Sequence, residues 1–448
     1  MVDIILTNVP VKKIIELHDA PKFPSPALAY LAASLFKNKI SYKVIDSKYD
    51  KINEETLINQ IGPETKYFGI SSMTHEILSA HELARKVKQK RPDIKIIIGG
   101  CHGTALPKQT LEEFNYFDIV VIGEGEETLI EIMKSKTLSK VKGVAFRKDK
   151  EIIVNERREY IDIDSITPKW DDFRPAKFYI VGCSRGCPFQ CVFCMRVLGN
   201  KVRQRSIAKV IKELKYLVEE MGAEEIFFSD ETFTLDKKFV NEFCSALRKE
   251  QLHKKMKWWI QTRSGTVNED ILKNIKNAGC YKLGFGVESG DEEIIKIIKK
   301  GISLEQVEKD VKLAKKLKFV TCSYFIIGHP GDTKKTIWKT IKFASKINTY
   351  ETSFGIMIPY PGTEVYGFAL AKEYNYRLLT TSWSAYNKQL GSALELTNIT
   401  RKELSLLQIY AYSYVFLANL RFLDMLYFIW SYKQTVVEMI KNLIFTKK

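Results

Sequence analysis

The chain has 448 residues, 45% of them hydrophobic, and 70 Lys and Arg against 53 Asp and Glu give it a formal net charge of +17. This length exceeds one ordinary hydrophobic core and predicts two or three domains, and the eight cysteines do not resemble the dispersed framework of a small secreted scaffold. The chain opens with a strand pattern rather than a signal peptide, so we expect a cytoplasmic protein.

The basic residues are spread along predicted helices, without a dense basic and aromatic patch. Dispersed lysines of this kind are typical of solvated helix faces. We therefore expect no nucleic-acid partner.

Residues 1–140 alternate short β-branched segments with amphipathic helical ones, which predicts an α/β fold with a doubly wound, Rossmann-like parallel sheet. The predicted strands are Asp3–Val9, Tyr42–Asp46, Tyr67–Ser71, Ile94–Gly99 and Ile119–Ile122. The predicted helices are Ala27–Lys37, Glu54–Gln60, Glu76–Lys90 and Lys108–Phe114. Ligands bind at the carboxyl ends of such strands, where this chain has the small-residue loops Ser71–Thr74, Gly99–Gly103 and Gly123–Glu126. Glycine there permits a bulky ligand to approach the backbone, and ordinary tight turns account for the glycines equally well.

Residues 141–177 are predicted to be a linker with a hairpin, and residues 178–375 repeat a β-then-α pattern six times. Six such units predict a (β/α)6 partial TIM barrel with its chemistry at the carboxyl ends of the strands. The predicted barrel strands are Phe178–Gly182, Glu225–Ser229, Lys257–Thr262, Lys282–Glu288, Val320–Gly328 and Thr352–Pro359. The predicted barrel helices are Ile207–Met221, Asp236–Glu250, Glu269–Ala278, Leu304–Leu317 and Lys334–Ile347.

Residues 376–448 are rich in aromatic and aliphatic side chains, which predicts a helical C-terminal region. Polar residues interrupt it, so no clean run of about 18 apolar residues exists. Packing of these helices on the barrel and peripheral contact with a membrane surface both fit, and packing is the favoured interpretation.

The most informative segment, Cys183–Cys194, follows the first barrel strand and places Cys187, Cys191 and Cys194 in a C-x3-C-x2-C spacing. Three thiolates on one loop can hold three irons of a [4Fe–4S] cube and leave the fourth open to a small molecule. A structural zinc site is the alternative, and it needs a fourth ligand, for which Cys183 is a candidate. The cluster is the favoured interpretation. Cys183 is then a structural residue or a spare thiol in the cavity, and the structural role is favoured. Arg203 and Arg205, which follow the loop, are by default solvated.

With Phe193 before the last cysteine, the pattern resembles the radical S-adenosylmethionine (SAM) enzymes. The stretches Ser184–Cys191, Gly99–Pro107 and Val121–Thr128 resemble the subgroup whose N-terminal domain binds cobalamin (B12). The resemblance covers about residues 1–375 and implies a [4Fe–4S] cluster on the three cysteines, with SAM and cobalamin as further cofactors.

The resemblance also implies which residues contact SAM. Asp230 is the candidate for its amino group, Arg263 for its carboxylate and Glu288 for its nucleoside. The complete set of SAM candidates is Phe193, Asp230, Arg263, Glu288, Ser289 and Gly328. Taken singly, such acids are more often helix caps or surface residues, and their order after successive strands favours the functional interpretation.

For cobalamin, the candidate contacts are Ser71, Thr74, Gly99, Gly100, His102, Gly123 and Glu124. None of the six histidines lies in the D-x-H-x-x-G pattern that supplies a lower cobalt ligand in many cobalamin domains. We therefore expect no ligation of cobalt from such a motif.

The resemblance implies a cobalamin-dependent radical SAM enzyme, first of all a C-methyltransferase acting on an unactivated carbon through a 5′-deoxyadenosyl radical. Cyclisation, rearrangement or oxidation by the same subgroup is the alternative. A methylthiotransferase needs a second set of N-terminal cysteines, and the first 180 residues hold only Cys101. A cobalamin or redox sensor is the non-enzymatic alternative. We expect a small-molecule or lipid-like substrate and an external one-electron reductant such as flavodoxin or ferredoxin.

Overall fold

A computed structural model describes residues 2–10, 21–387, 391–433 and 436–437, which form two compact units. Within the described residues, the first unit spans 2–10, 21–180 and 196–223, and the second spans 181–195 and everything from 224 onward. The predicted domain boundaries at residues 140, 177 and 375 stay predictions.

The strands are β1 (Ile4–Asn8), β2 (Tyr42–Ile45), β3 (Tyr67–Ser71), β4 (Lys95–Gly99), β5 (Ile119–Val121), β6 (Val144–Lys148), β7 (Glu151–Val154), β8 (Phe178–Val181), β9 (Ser184–Arg185), β10 (Arg203–Gln204), β11 (Glu225–Phe228), β12 (Lys257–Thr262), β13 (Cys280–Glu288), β14 (Val320–Ile327), β15 (Glu351–Ile356), β16 (Tyr376–Leu378) and β17 (Leu394–Leu396). The helices are α1 (Pro26–Lys37), α2 (Glu54–Asn59), α3 (Ile77–Lys90), α4 (Cys101–Ala105), α5 (Pro107–Glu113), α6 (Glu126–Lys134), α7 (Ile207–Glu219), α8 (Lys237–Lys249), α9 (Leu252–Lys255), α10 (Glu269–Asn277), α11 (Glu292–Ile297), α12 (Leu304–Lys316), α13 (Lys334–Ile347), α14 (Glu364–Ala371), α15 (Arg401–Ala418) and α16 (Phe422–Ser431).

The first unit is built on a seven-stranded sheet of order β2-β1-β3-β4-β5-β6-β7. Strands β1 to β5 are parallel, and β1 is buried along its whole length, as expected for a strand covered on both faces. The predicted N-terminal α/β sheet is confirmed. The hairpin β6–β7 adds to this sheet as an antiparallel edge, because its inner strand pairs with β5 along three residues.

The second sheet has six strands in the order β15-β14-β13-β12-β11-β8, with parallel pairing from β11 through β15. The sheet is not closed, since β8 and β15 are its two edges. All six predicted barrel strands are present, and the partial barrel is confirmed. Since its strands run in one direction, the loops that carry the predicted SAM contacts share one end of the sheet.

The predicted helical C-terminal region is confirmed by α15 and α16, and it contains one element that was not predicted. It begins with an antiparallel hairpin, β16 with β17, and only then continues into α15 and α16. The hairpin forms because Tyr376 is buried and its hydroxyl donates to the Gly328 carbonyl (3.0 Å), which fixes this segment against the barrel. The last predicted residues of the region, 438–448, lie outside the described part of the chain.

Helix α15 packs along the edge strand β15. Its buried residues, which follow a helical spacing, are Arg401, Leu404, Gln408, Ala411 and Val415. The Gln408 amide donates to the Phe354 carbonyl (2.7 Å), and the predicted packing on the barrel is present for this helix. No described helix is both long and apolar enough to cross a bilayer.

Candidate active site

The cysteine loop directly follows β8 in the second unit and is held by main-chain hydrogen bonds. Val192 donates to Ile298 (3.1 Å) at the end of α11, and it accepts from Val365 (3.2 Å) at the start of α14. Cys194 donates to the Cys191 carbonyl (3.0 Å), which closes a tight turn. The loop therefore presents its three thiols from a backbone anchored at two other elements.

All three cysteines of the motif carry free thiols, and they differ in burial. Cys191 is buried, Cys187 is half-buried and Cys194 is exposed. Within the described residues, no three His, Cys, Asp or Glu side chains converge on a single metal ion. A cube binds each sulfur to a separate iron, so three free thiols on one anchored loop, which need not converge on a single ion, fit this group.

Arg263, after β12, lies against the cysteine loop. Its guanidinium stacks on the Phe189 ring, 3.7 Å from the centroid, and its Nη1 lies 4.0 Å from the Cys191 sulfur. Burial raises the pKa of the Cys187 thiol, and the Arg263 charge opposes that rise. A fixed cation beside these sulfurs favours the thiolate, which is the form that binds iron.

Asp230, after β11, is almost fully buried at the start of the loop. Its carboxylate accepts from the Cys183 main chain (3.0 Å) and from the Ser184 hydroxyl. Burial raises the pKa of Asp230 to about 6, although these two hydrogen bonds oppose the rise. Asp230 thus fixes the turn that leads into the motif, and Cys183 is itself fully buried.

Glu288 ends β13 in a left-handed conformation (φ 73°) and pairs with Lys300, which sequence reasoning missed. The two charged groups are 2.8 Å apart, and each side chain is only 10% exposed. The Lys300 ammonium also lies 5.9 Å from the centroid of the Phe193 ring. Lys300 therefore contacts both Glu288 at the end of β13, the fourth barrel strand, and Phe193 in the cysteine loop.

His329, in the loop after β14, was also absent from the predicted contacts. Its ring is fully buried, 5.7 Å from the Phe193 ring, and burial lowers its pKa to about 4. Neither ring nitrogen has a described partner at ordinary hydrogen-bond geometry, although the Glu288 main chain lies near enough to favour protonation. The imidazole is therefore neutral at physiological pH and has hydrogen-bonding capacity to spare.

The remaining predicted SAM residues, Ser289 and Gly328, make structural contacts. The Ser289 hydroxyl lies 3.2 Å from that of Thr340 on α13. Gly328 has φ 84°, and its N–H donates to Asp332 (2.9 Å). Both residues shape strand ends through their backbone.

The predicted cobalamin contacts lie at the carboxyl ends of β3, β4 and β5 in the first unit. Ser71 is in register with Gly99, and the next residue, Gly100, has φ 107°. A β-carbon at Gly100 would come within 2.2 Å of the Ser72 carbonyl, so only glycine fits there. Gly123 has φ 81° and nothing within 4 Å of the place a β-carbon would take. Small residues and an open position at the carboxyl ends of these strands leave room for a bulky ligand.

Thr74, His102 and Glu124 are buried at this edge. The His102 ring packs against Phe114, burial lowers its pKa to about 4, and neither ring nitrogen is exposed. The Glu124 carboxylate accepts from Arg203 (2.9 and 3.0 Å) and from the Ile161 main chain (3.0 Å). These contacts stabilise the loops that carry the glycines.

The two arginines after the cysteine loop are not solvated, contrary to the default expectation. Besides the Arg203–Glu124 pair, Arg205 and Glu213 form an ion pair (2.6 Å) in which both side chains are 1% exposed. The reason is that each guanidinium has a buried carboxylate partner within the first unit.

Comparison with known proteins agrees with this geometry. The chain matches the radical SAM superfamily model over residues 181–344 and the B12 binding domain model over residues 13–133. It is 34% identical over 409 residues to an uncharacterized methyltransferase of Pyrococcus horikoshii, covering 87% of each protein. The chain belongs to the cobalamin-binding radical SAM enzymes.

A second relative and a solved structure are similar to the chain at lower identity. An anaerobic magnesium-protoporphyrin IX monomethyl ester cyclase of Cereibacter sphaeroides is 28% identical over 78% of this chain, which spans 60% of that protein. The solved structure of the cobalamin-dependent SAM radical enzyme OxsB has the same fold, with a TM-score of 0.74 at 17% identity over 92% of this chain and 66% of OxsB. As a cobalamin-binding radical SAM enzyme, this protein uses a [4Fe–4S] cluster, SAM and cobalamin.

Proposed function

We propose that the protein transfers a methyl group to an unactivated carbon of a small molecule. The observation that carries this proposal is the presence, in one chain, of a three-thiol loop beside a fixed cation and of a glycine-lined sheet edge suited to cobalamin. When bound, the cluster and SAM supply a 5′-deoxyadenosyl radical, and cobalamin supplies a transferable methyl group. The Pyrococcus relative, named as a methyltransferase, supports this outcome.

In this proposal Cys187, Cys191 and Cys194 bind the cluster, and Arg263 keeps the sulfurs in their anionic form. The support for this assignment is the 4.0 Å approach of the guanidinium to Cys191. A cation fixed by stacking on Phe189 stays in place whether or not SAM is present.

The polar residues at the strand ends bind and orient SAM. The Asp230 carboxylate has lone pairs left for an ammonium, because its described contacts use only two hydrogen bonds. Glu288 accepts from the ribose hydroxyls while Lys300 balances its charge. Phe193, Ser289 and Gly328 supply apolar and backbone contacts, and neutral His329 offers a further donor or acceptor beside Phe193.

For cobalamin, Ser71, Gly99, Gly100 and Gly123 allow close approach of the backbone to the ligand. Thr74, His102 and Glu124 are all buried, so we propose that they support the loops that contact cobalamin and do not touch the ligand themselves. His102 contributes by packing and not by ligating cobalt, in agreement with its unexposed ring nitrogens.

The test is anaerobic reconstitution with iron, sulfide and cobalamin, followed by measurement of 5′-deoxyadenosine after reduction. We expect its formation by the wild type and its loss in Cys191→Ala, with Cys101→Ala as a matched control of unchanged rate. Equal rates in wild type and Cys191→Ala would contradict the assignment. A pure preparation that never retains cobalamin would contradict the place of cobalamin in the proposal.

Cyclisation is the second candidate, because the Cereibacter relative carries the name of a cyclase. The two outcomes differ in product mass and in co-product. Methyl transfer yields S-adenosylhomocysteine together with 5′-deoxyadenosine and a product heavier by one methylene group. Cyclisation yields no S-adenosylhomocysteine.

We further propose that the protein receives electrons from a one-electron carrier such as flavodoxin or ferredoxin.

We also propose that α16 contacts an anionic membrane surface and that the protein takes a lipid-like substrate from this surface. None of the ten α16 residues is buried, and Leu423 and Trp430 are 81% and 70% exposed. Apolar and aromatic side chains of this kind bind bilayer interfaces, and a net charge of +17 favours anionic lipid.

Sedimentation with phosphatidylglycerol vesicles tests the membrane contact. The double substitution Leu423→Glu and Trp430→Glu is expected to abolish co-sedimentation. The control is Phe36→Glu, which changes an equally apolar side chain, 61% exposed, in the first unit. Wild-type protein that stays in the supernatant would refute the contact.

A further inference from the structure

Arg401, the first residue of α15, is a buried cation whose guanidinium has no carboxylate partner among the described residues. Arg401 as a whole is 8% exposed. Its Nη1 is shielded from solvent and has no hydrogen bond in the described structure. Burial alone lowers the pKa of Arg401 to about 10, with no acidic group opposing the effect. The guanidinium is therefore charged, and its Nη1 is desolvated without a partner among the described residues.

Glu395, the acid that contacts Arg401 in the described part of the chain, does so through the main chain. Glu395 on β17 accepts the main-chain N–H of Arg401 (2.9 Å) with one oxygen and pairs with Arg377 through the other. An unpaired buried charge costs stability. An anion bound to the guanidinium would offset that cost.

The direction of α15 places Arg401 at the end of the barrel where the strand ends carry the predicted SAM contacts. A methyl carbon of Leu404 lies 3.5 Å from the place a β-carbon would take at Gly328, in the loop that follows β14. At the other end of the helix, Asn419 donates to the Ser345 carbonyl (3.1 Å) near the end of α13. Arg401 shares the buried face of Leu404 and Gln408 and precedes them, so it lies at the mouth of the barrel beside the fifth and sixth strands.

The start of this helix is already capped. Glu395 accepts the Arg401 main-chain N–H, and the Thr400 hydroxyl accepts the Glu403 N–H (3.3 Å) in a capping box. The group that remains for an anion is therefore the Arg401 guanidinium. The planar guanidinium offers two parallel N–H donors, the geometry that carboxylates and phosphates accept.

We propose that the Arg401 guanidinium binds an acidic group, a carboxylate or a phosphate, on the small-molecule substrate. This inference rests on the proposed function, because it assigns the substrate class of the same barrel. The acidic group of the substrate pairs with the guanidinium beside β15, the sixth barrel strand. Because β8 and β11 lie at the opposite edge of the sheet, this contact holds the substrate on the side of the barrel mouth away from Asp230.

The experiment is calorimetric titration of the reconstituted protein with inorganic phosphate and, separately, with acetate. We expect saturable binding of one of them by the wild type, at least tenfold weaker binding by Arg401→Met, and an intermediate affinity for Arg401→Lys, which keeps the charge but loses the fork. Arg174→Met is the control, since it removes an arginine whose side chain is 55% exposed in the first unit, and its affinity should stay within twofold of wild type. Equal binding by wild type and Arg401→Met, or no binding by the wild type, would overturn the proposal.

Two further readouts keep this inference separate from the proposed function. Formation of 5′-deoxyadenosine without substrate is expected in wild type and Arg401→Met alike. Its absence in both, with phosphate binding intact, would refute the radical chemistry and leave the anion site standing. The melting temperature of Arg401→Met in phosphate-free buffer should equal or exceed that of wild type, because the substitution removes an unpaired buried charge. Vesicles of phosphatidylglycerol that bind wild type but not Arg401→Met would reassign the site to a lipid headgroup and overturn the small-molecule assignment.

Discussion

Replacing Arg263 by methionine is expected to make the reduction potential of the cluster more negative. The guanidinium lies 4.0 Å from the Cys191 sulfur, and reduction adds negative charge to the cluster that this sulfur helps to bind. Two unit charges about 4 Å apart interact by about 1 kcal/mol in water and by about 4 kcal/mol at an effective dielectric constant of about 20. For a one-electron couple, about 1.4 kcal/mol corresponds to about 59 mV.

These values bound the shift at about 40 to 170 mV. The added electron is spread over the cluster and lies beyond the sulfur, so we expect a shift in the lower half of this range, about 40 to 100 mV. The assay is an anaerobic redox titration followed by electron paramagnetic resonance (EPR). Arg263→Lys retains the charge and should recover most of the wild-type potential. Phe189→Leu removes only the stacking partner and should change the potential less than Arg263→Met.

A reduction potential for Arg263→Met within about 20 mV of the wild-type value would refute the reasoning. That difference is about a third of the roughly 59 mV that corresponds to about 1.4 kcal/mol. In that case solvent and backbone dipoles, rather than this cation, set the electrostatics of the loop. A fall of equal size in Phe189→Leu would place the effect in the packing of the loop instead of the charge.

Three further predictions concern stability and cofactor binding. Lys300→Met leaves the buried Glu288 carboxylate unpaired and should lower the free energy of unfolding by about 3–5 kcal/mol in urea titrations, whereas Lys300→Met combined with Glu288→Gln should recover most of the loss. Asp230 has a folded pKa of about 6 against an ordinary value of 3.8, so the folded state binds the extra proton and stability should fall as the pH rises from about 4 to 6, by up to about 3 kcal/mol. The pH profile of Asp230→Asn should lack this fall, and a profile unchanged from wild type would count against the shift. Gly100→Ala places a β-carbon against the Ser72 carbonyl at φ 107° and should weaken cobalamin binding, measured by visible absorbance, whereas Gly62→Ala, with only an ordinary contact at 3.8 Å, should not.

The strands and the cysteine loop were predictable because their signals are local. Buried parallel strands such as Ile4–Asn8 and Lys95–Gly99 are runs of β-branched residues, and their positions match the prediction within about one residue. The three thiols lie within eight residues of sequence, so their proximity needs no tertiary information. Strand order then brings the predicted loops to one end of each sheet.

The residues that the sequence did not predict depend on contacts between distant parts of the chain. Lys300 and His329 meet Glu288 and Phe193 only through the folding of three separate strand ends, and no local pattern marks them. The tail was predicted as helical because Tyr376–Leu378 and Leu394–Leu396 are three-residue strands, too short to show an alternating pattern. Only the folded chain shows that Nη1 of Arg401 has no partner among the described residues.

The most direct test of the central claim, that Cys187, Cys191 and Cys194 hold a cluster whose open iron binds SAM, is the EPR spectrum of the reduced, reconstituted protein before and after addition of SAM. The account predicts a cluster signal whose g values change when SAM is added, and the loss of that signal in Cys191→Ala. A wild-type cluster signal that SAM leaves unchanged would contradict it.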